Sequence, residues 1–190
     1  FSRLRIEGGN NTFSGFTRVT AADLIGGIQS PNDAPIPYNM STLGYAIYSS
    51  GGSTQFNGST VVDEPIVVSG GEVEFGGADS QIGTLVITGT GKVVLSGPRL
   101  SIQNVEVRDG GQLEISGTDI HIGQLVVNSG SLRSNSALLP NTAFSVSGTG
   151  QVEINAQQNF SSVTLDGGTI IIGYAAAIDP FGDSAEVEVL

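Results

Sequence analysis

Ile82, Ile102 and Ile122 stand twenty residues apart, and the residues between them repeat in phase. Leu85, Val105 and Leu125 follow the same interval, as do Ile87, Val107 and Val127. Val93 answers Leu113, Leu95 answers Ile115, and Leu100 answers Ile120. A fixed period of this size marks a repeat architecture, because each unit buries its apolar face only against its neighbours. Within a period the apolar residues alternate with polar ones, as in Val105-Glu106-Val107 and Leu113-Glu114-Ile115. Alternation is the spacing of a strand, not of a helix. The chain is therefore expected to be all-β: a β-solenoid (parallel β-helix) with coils of roughly 20 residues.

The pattern extends both ways. Upstream, Ile66, Val68, Gly70-Gly71, Val73, Phe75 and Gly76-Gly77 match with a slip of one residue; downstream, Phe144, Val146, Gly148, Gly150, Val152 and Ile154 match again. Val163, Leu165, Gly167-Gly168, Ile170 and Ile172 supply a last copy. Glycine pairs at these places predict corners, where glycine takes positive φ without steric cost. One solenoid domain over residues 1–190 accounts for the whole chain.

Residues 4–44 carry a second pattern. Leu4, Ile6, Gly8-Gly9, Asn11-Thr12-Phe13-Ser14-Gly15, Thr17 and Val19, closing at Leu43-Gly44, resemble the autotransporter-associated β-strand repeat of bacterial surface proteins. The resemblance implies a passenger-type β-helix, extracellular or on the cell surface, in a group whose members are mostly adhesive or structural. It implies no activity.

Composition bears on partners. The net charge is −11 with only 7 Lys and Arg, which argues against nucleic acid, since phosphate binding needs clustered basic residues. There is no cysteine and no long apolar run, hence no disulfide framework and no expectation of membrane insertion. Phe1 neither is an initiator methionine nor opens a signal sequence, which points to a processed chain or an excerpt.

Between residues 29 and 50 the period breaks. Pro31, Pro35 and Pro37 cannot donate to a central ladder, and Tyr38, Tyr45 and Tyr48 follow with Met40 among them. This segment reads as an irregular lateral loop. Its tyrosines either pack on the rod or offer a side contact to a glycan or host surface.

The two ends are complementary. Ser2-Arg3-Leu4-Arg5-Ile6 alternates basic with apolar, while Ala185-Glu186-Val187-Glu188-Val189-Leu190 alternates acidic with apolar. Side by side, Leu4 and Ile6 would share a face with Val187 and Val189, and Arg3 and Arg5 would meet Glu186 and Glu188. Such cross-strand charge pairs contribute about 0.2–1 kcal/mol each. Within one solenoid these segments belong to opposite ends, so they are expected to pair between molecules, copy to copy. A heterologous contact that does not close makes an open filament.

Enzyme readings find little. Asp63-Glu64 are adjacent, and Glu106, Glu114 and Glu153 recur on strands, but Glu106 and Glu114 alternate with core residues and should face solvent. His121, between Ile120 and Ile122, reads as a surface strand position. The Asn-x-Asp, Asp-Asp and Gly-His-Gly of polygalacturonase-like hydrolases are missing, as is a tandem calcium-binding array, and Asp179-Pro180 reads as a turn. No cofactor, metal or catalytic residue is assigned. The expectation is an extracellular structural subunit that polymerises head to tail. Behind it stand an adhesin segment and, more remotely, a polysaccharide-active enzyme.

Overall fold

The computed structural model describes residues 10–13, 17–19, 47–62, 65–138, 142–158, 160–173 and 186–189. The chain is all-β, with parallel coils about 20 residues apart and about six turns. The strands are β1 (Asn10–Phe13), β2 (Thr17–Val19), β3 (Ile47–Phe56), β4 (Thr60–Val62), β5 (Ile66–Phe75), β6 (Gln81–Ile87) and β7 (Lys92–Leu95). They continue as β8 (Ser101–Arg108), β9 (Gln112–Ile115), β10 (His121–Asn128), β11 (Ser131–Ser134), β12 (Thr142–Ile154), β13 (Phe160–Ile172) and β14 (Glu186–Val189).

Long strands bend across a corner and so serve two faces. The first half of β5 pairs with β6, at Ile66↔Leu85, and its second half pairs with β7, at Val73↔Val93. On the first face one column runs Ile47, Ile66, Leu85, Val105, Leu125, Phe144, Val163, Val187. On the second face Phe13, Phe56, Phe75, Leu95, Ile115, Ser134, Ile154 and Ile172 form another. A short third face joins β2, β4, β6, β8 and β10, at Val62↔Ile82, Ile82↔Ile102 and Ile102↔Ile122. The steps are twenty residues in the middle coils and nineteen at Ile47↔Ile66↔Leu85 and Leu125↔Phe144↔Val163, so coil length absorbs the one-residue slip.

The core is the inside of these columns. Leu85, Leu95, Ile102, Ile115, Ile122 and Leu125 are essentially fully buried, and each contributes about 1.5–3 kcal/mol by leaving water. Two aromatic stacks replace aliphatic pairs, Phe56 on Phe75 at 5.1 Å and Phe144 on Phe160 at 4.8 Å.

The corners divide the conformational work differently from the expectation. Gly71, Gly167 and Gly168 do take positive φ, but at the corner holding Gly77, Gly97 and Gly117 the left-handed residues are Asp79, Arg99 and Asp119, with φ of 58°, 56° and 56°. There glycine answers a different demand. A Cβ on Gly97 would strike the Gly77 carbonyl, and one on Gly117 the Gly97 carbonyl, so the stacked backbones approach too closely for any side chain. Aspartate tolerates the left-handed region. Arg99 is further held by donating from Nε and its terminal nitrogen to Asp79, at 2.7 and 3.0 Å.

Candidate functional site

A solenoid offers a partner two kinds of surface, its end edges and its flanks. Of the residues singled out at the ends, Arg3, Leu4, Arg5 and Ile6 lie outside the described residues. Glu186, Val187, Glu188 and Val189 form β14, a parallel rung on β13 with Ser162↔Glu186, Val163↔Val187, Thr164↔Glu188 and Leu165↔Val189. Val187 and Val189 thus take register positions in the apolar columns of the first face, and Glu186 and Glu188 the alternate ones. The acidic-apolar alternation is a true strand in phase with the ladder. Among the described strands, β14 pairs with β13 alone.

The lateral loop needs a correction at its boundary. Residues 47–50 of the segment drawn at 29–50 belong to β3, and Tyr48 sits in the ladder opposite Val67. The ladder of Ile47–Ser49 on Ile66–Val68 carries the strand further back than the prolines suggest. Tyr38 and Tyr45 lie outside the described residues, as do Asp63, Glu64 and the Asp179–Asp183 turn.

On the flanks Glu72, Glu106, Glu114 and Glu153 stand at the outward positions of their strands and are matched with cations. Glu106 accepts from Arg108 at 3.3 Å, Lys92 lies 3.0 Å from Glu72 and 3.5 Å from Glu114, and Arg133 lies 3.6 Å from Glu153. The hydrogen bond to Glu72, helped by the field of both carboxylates and opposed by burial, raises the Lys92 ammonium above its ordinary pKa. The Arg99 guanidinium hydrogen-bonded to Asp79 holds that carboxyl below its ordinary value. His121 opens β10 opposite Ser101 and is half-buried. Among the described residues no group of three or more His, Cys, Asp or Glu is placed to hold a metal ion. No helix there is long and apolar enough to cross a membrane.

The second face carries a depression of about 390 Å³, lined among others by Lys92, Gln112, Glu114, Arg133, Gln151 and Glu153. Its charges balance, two cations against two carboxylates, on a chain whose net charge is −11. Ile171 closes the depression at the carboxyl-terminal end of the stack.

That end holds what sequence reasoning missed. Ile171 and Ile172 are 58% and 49% exposed, although Ile172 continues a core column. Three successive isoleucines at 170–172 break the alternation and were the available signal. A second omission is internal. Gln158 is fully buried: its Oε1 accepts from the Leu138 N–H at 2.9 Å, and its Nε2 donates to the Ser136 carbonyl at 2.8 Å and to Ser134 Oγ at 3.3 Å.

Fold and surface together define a parallel β-solenoid with a strand rung at its carboxyl-terminal end and ion-paired flanks. The chain matches no family model, and neither curated proteins nor solved structures provide a significant match.

Proposed function

We propose that this chain is an extracellular or cell-surface structural protein, a β-helix subunit that joins head to tail by β-strand addition into a filament or surface appendage. The observation that carries the reading is β14, an in-register rung on β13 whose acidic-apolar alternation complements the basic-apolar alternation of Ser2–Ile6. Strand addition draws affinity from ladder hydrogen bonds and register from alternating side chains. Ser2–Ile6, with Arg3 and Arg5 facing Glu186 and Glu188, supplies a complementary segment, and the charges set the polarity. The resemblance of residues 4–44 to the autotransporter-associated repeat supports the surface location. The reading assigns the chain no catalytic step and no cofactor.

Negative-stain microscopy of the purified chain beside an Arg3→Glu/Arg5→Glu variant tests it. Fibres from the parent and short particles from the variant are expected. Single rods from both would overturn the polymer.

The balanced depression on the second face favours a second reading, an adhesin whose flank binds a neutral glycan. Its lining offers amides and paired charges in place of an acidic field. Glycan-array binding by the parent that is lost in Gln112→Ala/Gln151→Ala would move the function from the ends to the side.

A further inference from the structure

Asn57-Gly58 is the one asparagine-glycine pair in the chain. It occupies the corner between β3 and β4, where Asn57 is exposed and Gly58 half-buried. In later coils the residue at the same corner position is Gly76, Ser96, Ser116, Asn135 and Asn155, each donating its N–H to the coil before. Asn135 and Asn155 thus share the position of Asn57, but they precede Ser136 and Ala156. They also hold each other: Asn155 Nδ2 donates to Asn135 Oδ1 at 3.1 Å and to Glu153 at 2.8 Å.

The surroundings of Asn57 differ. Its Oδ1, Ser96 Oγ and Glu74 Oε1 lie 3.1, 3.4 and 3.8 Å from the point where a side chain on Gly76 would begin. A side chain there would crowd the amide, whereas glycine leaves it room to turn. We propose that Asn57 is a self-modifying site, which loses its amide to water through attack by the Gly58 backbone nitrogen. Base removes the Gly58 amide proton, and the nitrogen forms a bond to Asn57 Cγ. The bond from Cγ to the side-chain nitrogen breaks, and ammonia leaves with a proton taken from water. Water then opens the five-membered imide at either carbonyl, giving aspartate or isoaspartate at position 57. No oxidant, cofactor or enzyme enters the balance. Glycine at position 58 helps because no Cβ obstructs the approach and its backbone reaches the ring-closing conformation without steric cost. Exposed Asn104, by contrast, is followed by the β-branched and stiffer Val105.

Either product sets a carboxylate beside Glu74, which already accepts from Gln55 Nε2 at 3.1 Å and Ser96 Oγ at 2.6 Å. Like charges so placed disfavour each other, and the net charge becomes one unit more negative than −11. The isoaspartyl product also lengthens the backbone by a carbon. It does so where the Gly58 carbonyl, itself accepting from Thr60 Oγ1 at 3.2 Å, leaves no room for a Cβ on Gly77. Conversion therefore loosens the contact between this corner and the next coil, and it marks the age of the chain.

The test holds the purified, folded chain at mildly alkaline pH and follows it by peptide mapping with mass spectrometry, labelling isoaspartate with isoaspartyl methyltransferase. Among Asn57, Asn135 and Asn155, only Asn57 is expected to lose its amide, faster as pH rises, with one added negative charge on isoelectric focusing. Asn57→Gln should remove the acidic species while keeping the circular dichroism of the parent, and Gly58→Ala should slow its appearance. Equal conversion at Asn135 or Asn155 would overturn the proposal, as would a Gly58→Ala variant that converts as fast as the parent. Conversion of Asn57 only in urea would show that the stack shields the pair, and would overturn it too.

Discussion

Leu95 and Ile172 occupy one column of the stack, yet Leu95 is fully buried and Ile172 is 49% exposed. The middle coils, β6 to β11, place each core side chain between two neighbours, one rung above and one below. At β13 the second face has a described rung on one side only. In a stacked architecture burial belongs to the neighbours as much as to the residue. The same alternation therefore yields a core position in one region and an exposed apolar edge in another. The carboxyl-terminal coils differ inside as well, since Ser134 takes the place of the aliphatic residue in that column and is supported by Gln158.

The largest break in this comparison should come from truncating both members of the column. Leu95→Ala is expected to cost about 2–5 kcal/mol, the usual range for a buried leucine that leaves a cavity. Ile172→Ala should cost below about 1 kcal/mol, because its contact with water is already half made. Urea unfolding of the two variants measures the difference; equal costs would show that Ile172 is as covered as Leu95.

A smaller effect separates the polar core from the apolar one. Gln158→Leu keeps the volume but removes the acceptor of the Leu138 N–H and the donor to the Ser136 carbonyl. A buried group left without its partner costs about 1–3 kcal/mol. Chemical denaturation reads the loss, and hydrogen exchange at the Leu138 amide should quicken with it. An unchanged midpoint would mean that the coil closes over leucine and needs no polar filling there.

The smallest effect concerns the flank. The pKa of Lys92 is raised in the folded chain above its ordinary value of 10.5. Its contribution is fully present below that value and is lost as pH rises through the higher folded value. Lys92→Met should flatten the decline in stability above about pH 10.5, by an amount that salt reduces because the pair is partly exposed. For Asp79 the sign is opposite. Its carboxyl is held below 3.8, so its contribution is present above that pH and fades as pH falls through the folded value. Asp79→Asn should leave stability near neutrality almost unchanged, since the Arg99 pair is solvent-exposed.

Much of the fold was legible because its signal is local. Ile82, Ile102 and Ile122 are direct ladder partners, as are Leu85, Val105 and Leu125. The outward aim of Glu106 and Glu114 follows from strand alternation, as does the rung formed by Glu186–Val189. The start of β3 at Ile47 was misjudged because its pairing with Ile66–Val68 lies between coils and the nearby prolines argued for a loop. Positive φ was the reason expected at the Gly76-Gly77 pair, whereas Gly97 and Gly117, at the same corner of later coils, are held to glycine by close approach. Their constraint comes from a carbonyl twenty residues earlier, which no local rule for turns contains.

The sequence by itself determined the period, the alternation and hence the coil, because each depends on spacing along the chain. It also determined that the two ends carry opposite charge. Only the tertiary structure decided which column positions have neighbours on both sides. It alone showed that Arg99 pairs with Asp79 one coil away and that Gln158 closes an internal polar gap. Those facts arise between coils, where residues about twenty apart become adjacent and the backbone of one layer sets the space left for the next.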